Sequence, residues 1–205
     1  PEVFRFYLAK NMGSTDSPMG YELIRQYMIG ENIPKDIDAA RELVDISSYS
    51  ISMQSGYAYL QIAKFMIKTP ELFDDSDKQF IKALSLAAQG GVLEAEYQLS
   101  AFYHVNRLRH WDLDSKRDEI ELLSHAAKYG HTAAAKRLEL AKQWKEQEDN
   151  NTLNSEEQLE QEAQKGYAPA CDKLRRTYQN GQQCAEELAR QGLLVGDYLL
   201  MLQND

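Results

Sequence analysis

The sequence predicts an all-α protein built from repeated helix pairs. Three observations carry that expectation. The string Ala-Ala-x-x-Gly occurs at Ala87-Ala88…Gly91 and again at Ala126-Ala127…Gly130, with weaker forms at Glu162-Ala163…Gly166 and Leu188-Ala189…Gly192. The glycines are spaced 39, 36 and 26 residues apart, and a recurring period of that size signals a repeat array. Val and Thr total only ten of 205 residues, too few of the types that strands favour for a large sheet.

Each repeat is predicted to be helix, loop, helix and glycine turn. Gly91 is followed by Ala95, Leu99 and Tyr103, at offsets of 4, 8 and 12, and Gly166 by Ala170, Leu174 and Tyr178 at the same offsets. Such offsets hold one apolar stripe on one side of a helix with 3.6 residues per turn. Gly130 is followed by Ala134 and Leu138, but Lys142 stands where the tyrosine is expected. The second helix of a unit reads from Phe80, Ile81, Leu84, Ala87 and Ala88, and from Ile120, Leu123, Ala126 and Ala127. The glycine behind it is expected as a C-cap with positive φ. Upstream, Tyr27-Met28-Ile29-Gly30 closes a first helix, Pro34 shapes the loop, and Asp36 is a candidate N-cap before Ala40. The stretch around Ala58, Ile62 and Met66 fits only loosely. A single such hairpin cannot bury its own apolar face, so neighbours are expected to stack.

The pattern Ala-x-x-x-Leu…Tyr-x-x-Gly…Ile-x-x-Asp-x-x-x-Ala…Ala-Ala-x-x-Gly resembles Sel1-like repeats, relatives of the tetratricopeptide repeats. The first unit carries Leu23, Tyr27, Gly30, Ile33, Asp36 and Ala40. The third carries Gly91, Ala95, Leu99, Tyr103, Ala126 and Ala127, and the fifth Gly166, Ala170, Leu174, Tyr178 and Gly181. The resemblance implies an α/α solenoid, a right-handed superhelix of about five units near 15–50, 54–90, 91–129, 130–165 and 166–191, with a terminal helix at 193–202. The third and fourth units depart from it, with expected loops at Asn106–Lys116 and Lys145–Ser155.

The resemblance also implies a function. In tetratricopeptide-like arrays the first helices line a concave face that holds a partner protein. Carried over position by position, that face comprises Tyr21, Arg25 and Met28 in the first unit, and Tyr57 and Lys64 in the second. It continues with Glu94, Tyr97 and His104 in the third, Lys136 and Gln143 in the fourth, and Asp172 and Arg176 in the fifth. Tyr and Arg are enriched at interface hot spots. The expectation is a non-enzymatic bacterial module binding another protein, with an immunity protein that neutralises an interbacterial toxin as its sharpest form. An envelope or secretion scaffold is the alternative, and a hydrolase or peptidoglycan-modifying enzyme the alternative of another class.

Charge and motifs narrow the classes. The net charge of −9, from 23 Lys+Arg against 32 Asp+Glu, speaks against a nucleic-acid binder, which needs a basic face for phosphates. It suits a basic partner protein. No stretch reaches the ~20 apolar residues that a membrane helix requires. No Gly-x-Ser-x-Gly elbow, phosphate-cradling glycine loop or His-Glu-x-x-His motif occurs, so no catalytic residue, metal or cofactor is expected. His104 and His110 flank a stretch with Arg107, Arg109, Trp111, Asp112 and Asp114, read either as a binding rim or as a loop tucking Trp111 inward. His125 and His131 are read as structural imidazoles.

Cys171 and Cys184 fall on the two helices of the last unit, about nine and four residues from a turn centred near Asn180. That offset along the helix axes favours free, packed thiols over a disulfide. The chain begins with Pro1 rather than Met, so an N-terminal segment is expected to have been removed. The compartment, bacterial periplasm or cytoplasm, is left open.

Overall fold

The computed structural model describes residues 18–40, 53–67, 76–103, 118–150, 155–178 and 181–202. Among the described residues every regular element is a helix and none is a strand. In chain order these are α1 (Pro18–Ile29), α2 (Met53–Met66), α3 (Ser76–Gln89), α4 (Leu93–Ser100) and α5 (Glu119–Lys128). They continue with α6 (Thr132–Asp149), α7 (Glu156–Gln164), α8 (Ala168–Tyr178), α9 (Gln182–Arg190) and α10 (Leu194–Met201). A further helix begins at Ile37 and is described to Ala40.

The glycine turns behave as the sequence requires. Gly30, Gly91, Gly130, Gly166 and Gly192 all have positive φ, between 77° and 99°. At Gly91 its own N–H donates to Ala88 O and the next N–H, of Val92, donates to Ala87 O. The same pair recurs at Gly130, where Gly130 N donates to Ala127 O and His131 N to Ala126 O. These two bonds satisfy carbonyls that a helix end leaves open, and the residue between them must sit in the left-handed region. Val92, Tyr167 and Leu193, which follow three of these turns, are buried. Asp36 is the N-cap that the pattern required, its Oδ1 accepting from Ala39 N at 3.0 Å.

Most of the predicted apolar stripe lies in the core, whereas Tyr103 and Leu138 are partly buried and Tyr178 is exposed. Ala95, Leu99, Ala134, Ala170 and Leu174 are all buried, and small residues at the fourth position let helices approach closely. The counterpart after Gly192 is Gly196, also buried. Where Lys142 replaces the expected tyrosine, Trp144 supplies the ring instead. It is 1% exposed and stacks on Tyr167 at 4.6 Å between centroids.

α10 does not simply extend the chain outward. Tyr198 lies 6.3 Å from Phe80 of α3 and 5.7 Å from Phe102 beyond α4, and those two rings are 5.2 Å apart. All three rings are buried. The terminal helix therefore closes onto α3 and the end of α4.

Two expectations are corrected. Lys145–Asp149 belong to α6, which runs 18 residues, and are not a loop. Lys, Glu and Gln are good helix formers, and no Gly or Pro interrupts them. Cys171 and Cys184 are joined as a disulfide, with their Cα atoms 5.7 Å apart. The predicted offset disappears because Gly181 lies beside Arg175 rather than beyond the end of α8. A Cβ at Gly181 would collide with Arg175, so the chain re-enters one turn below the end of α8. Three residues later Cys184 stands opposite Cys171. The stretch around Trp111, from His104 to Lys116, lies outside the described residues.

Candidate functional site

The best-defined polar constellation joins α4 to α5 and to the start of α6. Glu94 and Gln98 are one helical turn apart, and Gln98 Nε2 donates to Glu94 Oε1 at 2.7 Å. Glu94 Oε2 meets His131 Nε2 at 2.9 Å. His131 sits at the N-cap of α6, and its Nδ1 accepts from Ala134 N at 3.1 Å. A backbone N–H can only donate, so Nδ1 is bare and Nε2 carries the proton that goes to Glu94. Sequence position explains the substitution. His131 stands where the other turns place buried Val92, Tyr167 and Leu193, and a polar ring there both caps a helix and reaches α4.

Tyr97 lies over this pair, its ring 4.8 Å from that of His131. Its hydroxyl titrates above the usual tyrosine value. Burial is the main cause, the nearby Arg137 opposes it, and Glu94 adds to it. A second acid–imidazole pair lies on the same helix. Glu96 is fully buried and meets His125 Nδ1 at 2.7 Å. His125 in turn lies 4.7 Å from Tyr129, which is 60% exposed at the end of α5.

Arg137 is a buried cation of α6. It donates from Nη1 to Gly166 O at 2.9 Å and pairs with Glu119 at 3.5 Å. Its guanidinium lies 5.2 Å from the Trp144 ring, whose Nε1 donates to Glu162 at 2.7 Å. A buried guanidinium needs such a set of partners to offset its desolvation.

The structure sorts the residues expected on the first-helix face. Tyr57, Lys136, Gln143 and Arg176 are exposed. Arg25, Lys64, Glu94 and Tyr97 are half-buried. Arg25 is held by Glu22 at 2.9 Å and Glu31 at 3.3 Å, and its hydrogen bond keeps Glu22 below the usual carboxylate range against a smaller effect of burial. Two expectations are corrected. Met28 is 3% exposed and belongs to the core, because α1 turns that face onto its neighbours. Asp172 is 1% exposed, and its two oxygens hold Arg175 at 2.9 Å and Arg176 at 3.0 Å. It positions a cation and does not itself face outward. His104 and the side chain of Tyr21 lie outside the described residues.

Among the described residues, Glu94 and Tyr97 are the expected residues that join this cluster, while Asp172 and Arg176 pair with each other elsewhere. Sequence reasoning missed Gln98, His125, His131 and Arg137 as its other members. A signal existed for His131, the one polar residue directly after a repeat glycine among Val92, Tyr167 and Leu193. Among the described residues no three His, Cys, Asp or Glu side chains converge as metal ligands, and no helix is long and apolar enough to cross a membrane. No protein-family model, curated protein or solved structure matches the chain.

Proposed function

We propose that the chain is a Sel1-like α/α solenoid that binds another protein through the exposed side of its first helices and performs no chemistry itself. The observation that supports this reading is a division of labour along α6. Ala134 and Ala141 are buried while Lys136 and Gln143, six and thirteen residues beyond Gly130, face outward. Arg176 of α8 is likewise exposed and fixed by Asp172. Fold and surface thus use different residues of the same helices, and the surface residues are available for a partner.

The acidic balance of −9 favours a basic partner, whose approach it would accelerate at low salt. The two histidines among the described residues are held in structural contacts. His131 uses both ring nitrogens, and His125 is tied to a buried carboxylate.

The test is site-specific photocrosslinking in the native host. A photoreactive residue at position 136 or 143 should capture one discrete protein. The same residue at Ser124, an exposed position of the second helix α5, should not. Capture from position 124 alone would place the partner on the opposite side and end this reading.

A further inference from the structure

The Cys171–Cys184 disulfide meets solvent from one side. Cys171 of α8 is 1% exposed and belongs to the apolar core. Cys184 of α9 is only partly buried. It stands between buried Ala185 and exposed Gln183, at the edge of the inward face of α9. A cleft of about 320 Å³ among α7, α8 and α9 opens there, lined by Cys184, Gln183, Ala163 and Leu174 but not by Cys171.

Access of this kind decides which sulfur reacts. Thiol–disulfide exchange begins when a thiolate attacks one sulfur of the bond, and only a sulfur it can reach accepts it. A cysteine sealed in an apolar core is inert toward such reagents. The cleft is at the lower end of the size range of ligand sites, which suits a small aliphatic thiol. Ala163 and Leu174 give it aliphatic lining for the carbon chain of such a thiol.

We propose that Cys184 is a site of reversible S-thiolation by small aliphatic thiols, which reach it through this cleft. The thiol gives its proton to solvent, and the thiolate attacks Sγ of Cys184. Its electron pair makes the new S–S bond. The bond to Cys171 breaks, and the Cys171 sulfur keeps the bonding pair and takes a proton. One S–S bond forms and one breaks, so no outside oxidant is consumed. In the reverse step the Cys171 thiolate attacks Cys184 and expels the small thiol. The folded chain holds the two cysteines side by side, so closure is intramolecular and wins once the small thiol is removed. While the adduct lasts, α8 and α9 lose their covalent tie and the cleft is filled. None of this depends on a partner protein.

The experiment follows reduction of the folded whole chain by mercaptoethanol, with free thiols counted by alkylation after acid quenching and denaturation. Gln183→Trp fills the cleft from an exposed position and should slow reduction by about fivefold or more. Ser124→Trp, at an exposed position of α5, should leave the rate within about twofold. Single-cysteine proteins identify the sulfur. Cys184 in Cys171→Ser should react with hydroxyethyl disulfide at least about tenfold faster than Cys171 in Cys184→Ser, and the two rates should converge in denaturing urea. Thermal melts identify conditions under which each variant is folded. Should a single-cysteine protein not fold, the comparison of the parent with Gln183→Trp decides alone.

Equal reduction rates in the parent and in Gln183→Trp would overturn the proposal. So would a folded Cys184→Ser protein whose Cys171 reacts as fast as Cys184 does in Cys171→Ser. Reduction of the parent only at urea concentrations that unfold it would do the same, because exchange would then require the open chain and not the cleft.

Discussion

The side-chain amide of Gln98 closes on Leu194, 96 residues further along the chain. Gln98 Oε1 accepts from the Leu194 backbone N–H at 2.8 Å, while its Nε2 donates to Gly192 O at 2.8 Å. One amide thus satisfies a donor and an acceptor at the start of α10. Gln98 is itself 1% exposed. The arrangement fixes the register with which the terminal helix meets α4.

That closure gives the first prediction. Gln98→Leu preserves volume but leaves a buried N–H and a carbonyl without partners. Each orphaned group costs about 1–3 kcal/mol, so the variant should lose ~2–4 kcal/mol in urea denaturation. Hydrogen exchange should rise first at Leu194, ahead of α5 and α6. Unchanged protection of the Leu194 amide would show that α10 does not depend on this amide.

The repeat turns give the second. Gly130 has φ of 99°, and a Cβ placed there would meet nothing within 4 Å. Gly130→Ala therefore isolates the backbone term from any clash. It should cost ~1–2 kcal/mol, the penalty of an L-residue in the left-handed region. Gly130→Asn should cost less, because Asn tolerates that region. Equal stability of all three proteins in thermal melts would mean that the turn does not need positive φ.

The small residues of the helix stripe give the third. Ala95 and Ala134 are each 0% exposed. Ala→Leu at either position inserts volume where helices meet closely and should cost ~1–3 kcal/mol. The comparison is Leu at Ala135, an exposed neighbour, which should leave the melting temperature within about 2 °C, a change of roughly half a kcal/mol or less.

The disulfide gives the fourth. Cys171 and Cys184 are separated by 13 residues, and a loop of that size restrains the unfolded chain by ~3 kcal/mol. Cys171→Ser with Cys184→Ser should therefore melt lower. The loss should match that of the reduced parent protein, because both remove one cross-link. A reducing agent that leaves the parent's melt unchanged would contradict a formed bond.

Much of this fold is legible in the sequence because glycine and alanine report backbone needs directly. Gly91 and Gly130 mark turns that only a residue without Cβ adopts cheaply, and Ala95 and Ala134 mark close helix approach. Long-range closure is not legible in the same way. Nothing in the local pattern of Gln98 distinguishes it from a solvated glutamine, since its partners are backbone groups 94 and 96 residues away. The disulfide was hidden for a similar reason. Counting residues from Asn180 assumes a symmetric turn, whereas the chain re-enters beside Arg175 at Gly181. Met28 and Asp172 show the limit of transferring a surface by repeat position. The offset names a helix face, but packing of that helix on its neighbours decides whether the face is open.

Glu162 makes the last prediction, and it concerns pH. Its carboxylate is largely buried, which alone would raise its pKa. Hydrogen bonds from Lys165 at 2.7 Å and from Trp144 Nε1 at 2.7 Å outweigh that effect, and the group titrates below its ordinary value of 4.5. A carboxyl depressed in the folded state binds its proton more readily when the chain unfolds. Its contribution is therefore complete above the unfolded value and is lost as pH falls through the lower, folded one. Stability should decline on acidification from about pH 5 toward pH 3. In Glu162→Gln the charged acceptor is gone, so that protein should be less stable at pH 7, by about 1–2 kcal/mol for the weakened bonds to Lys165 and Trp144. The gap between parent and variant should close as the parent's carboxylate is protonated. Denaturation midpoints of both proteins across that range check the sign. A gap that widens toward low pH would mean that burial outweighs the two donors at Glu162.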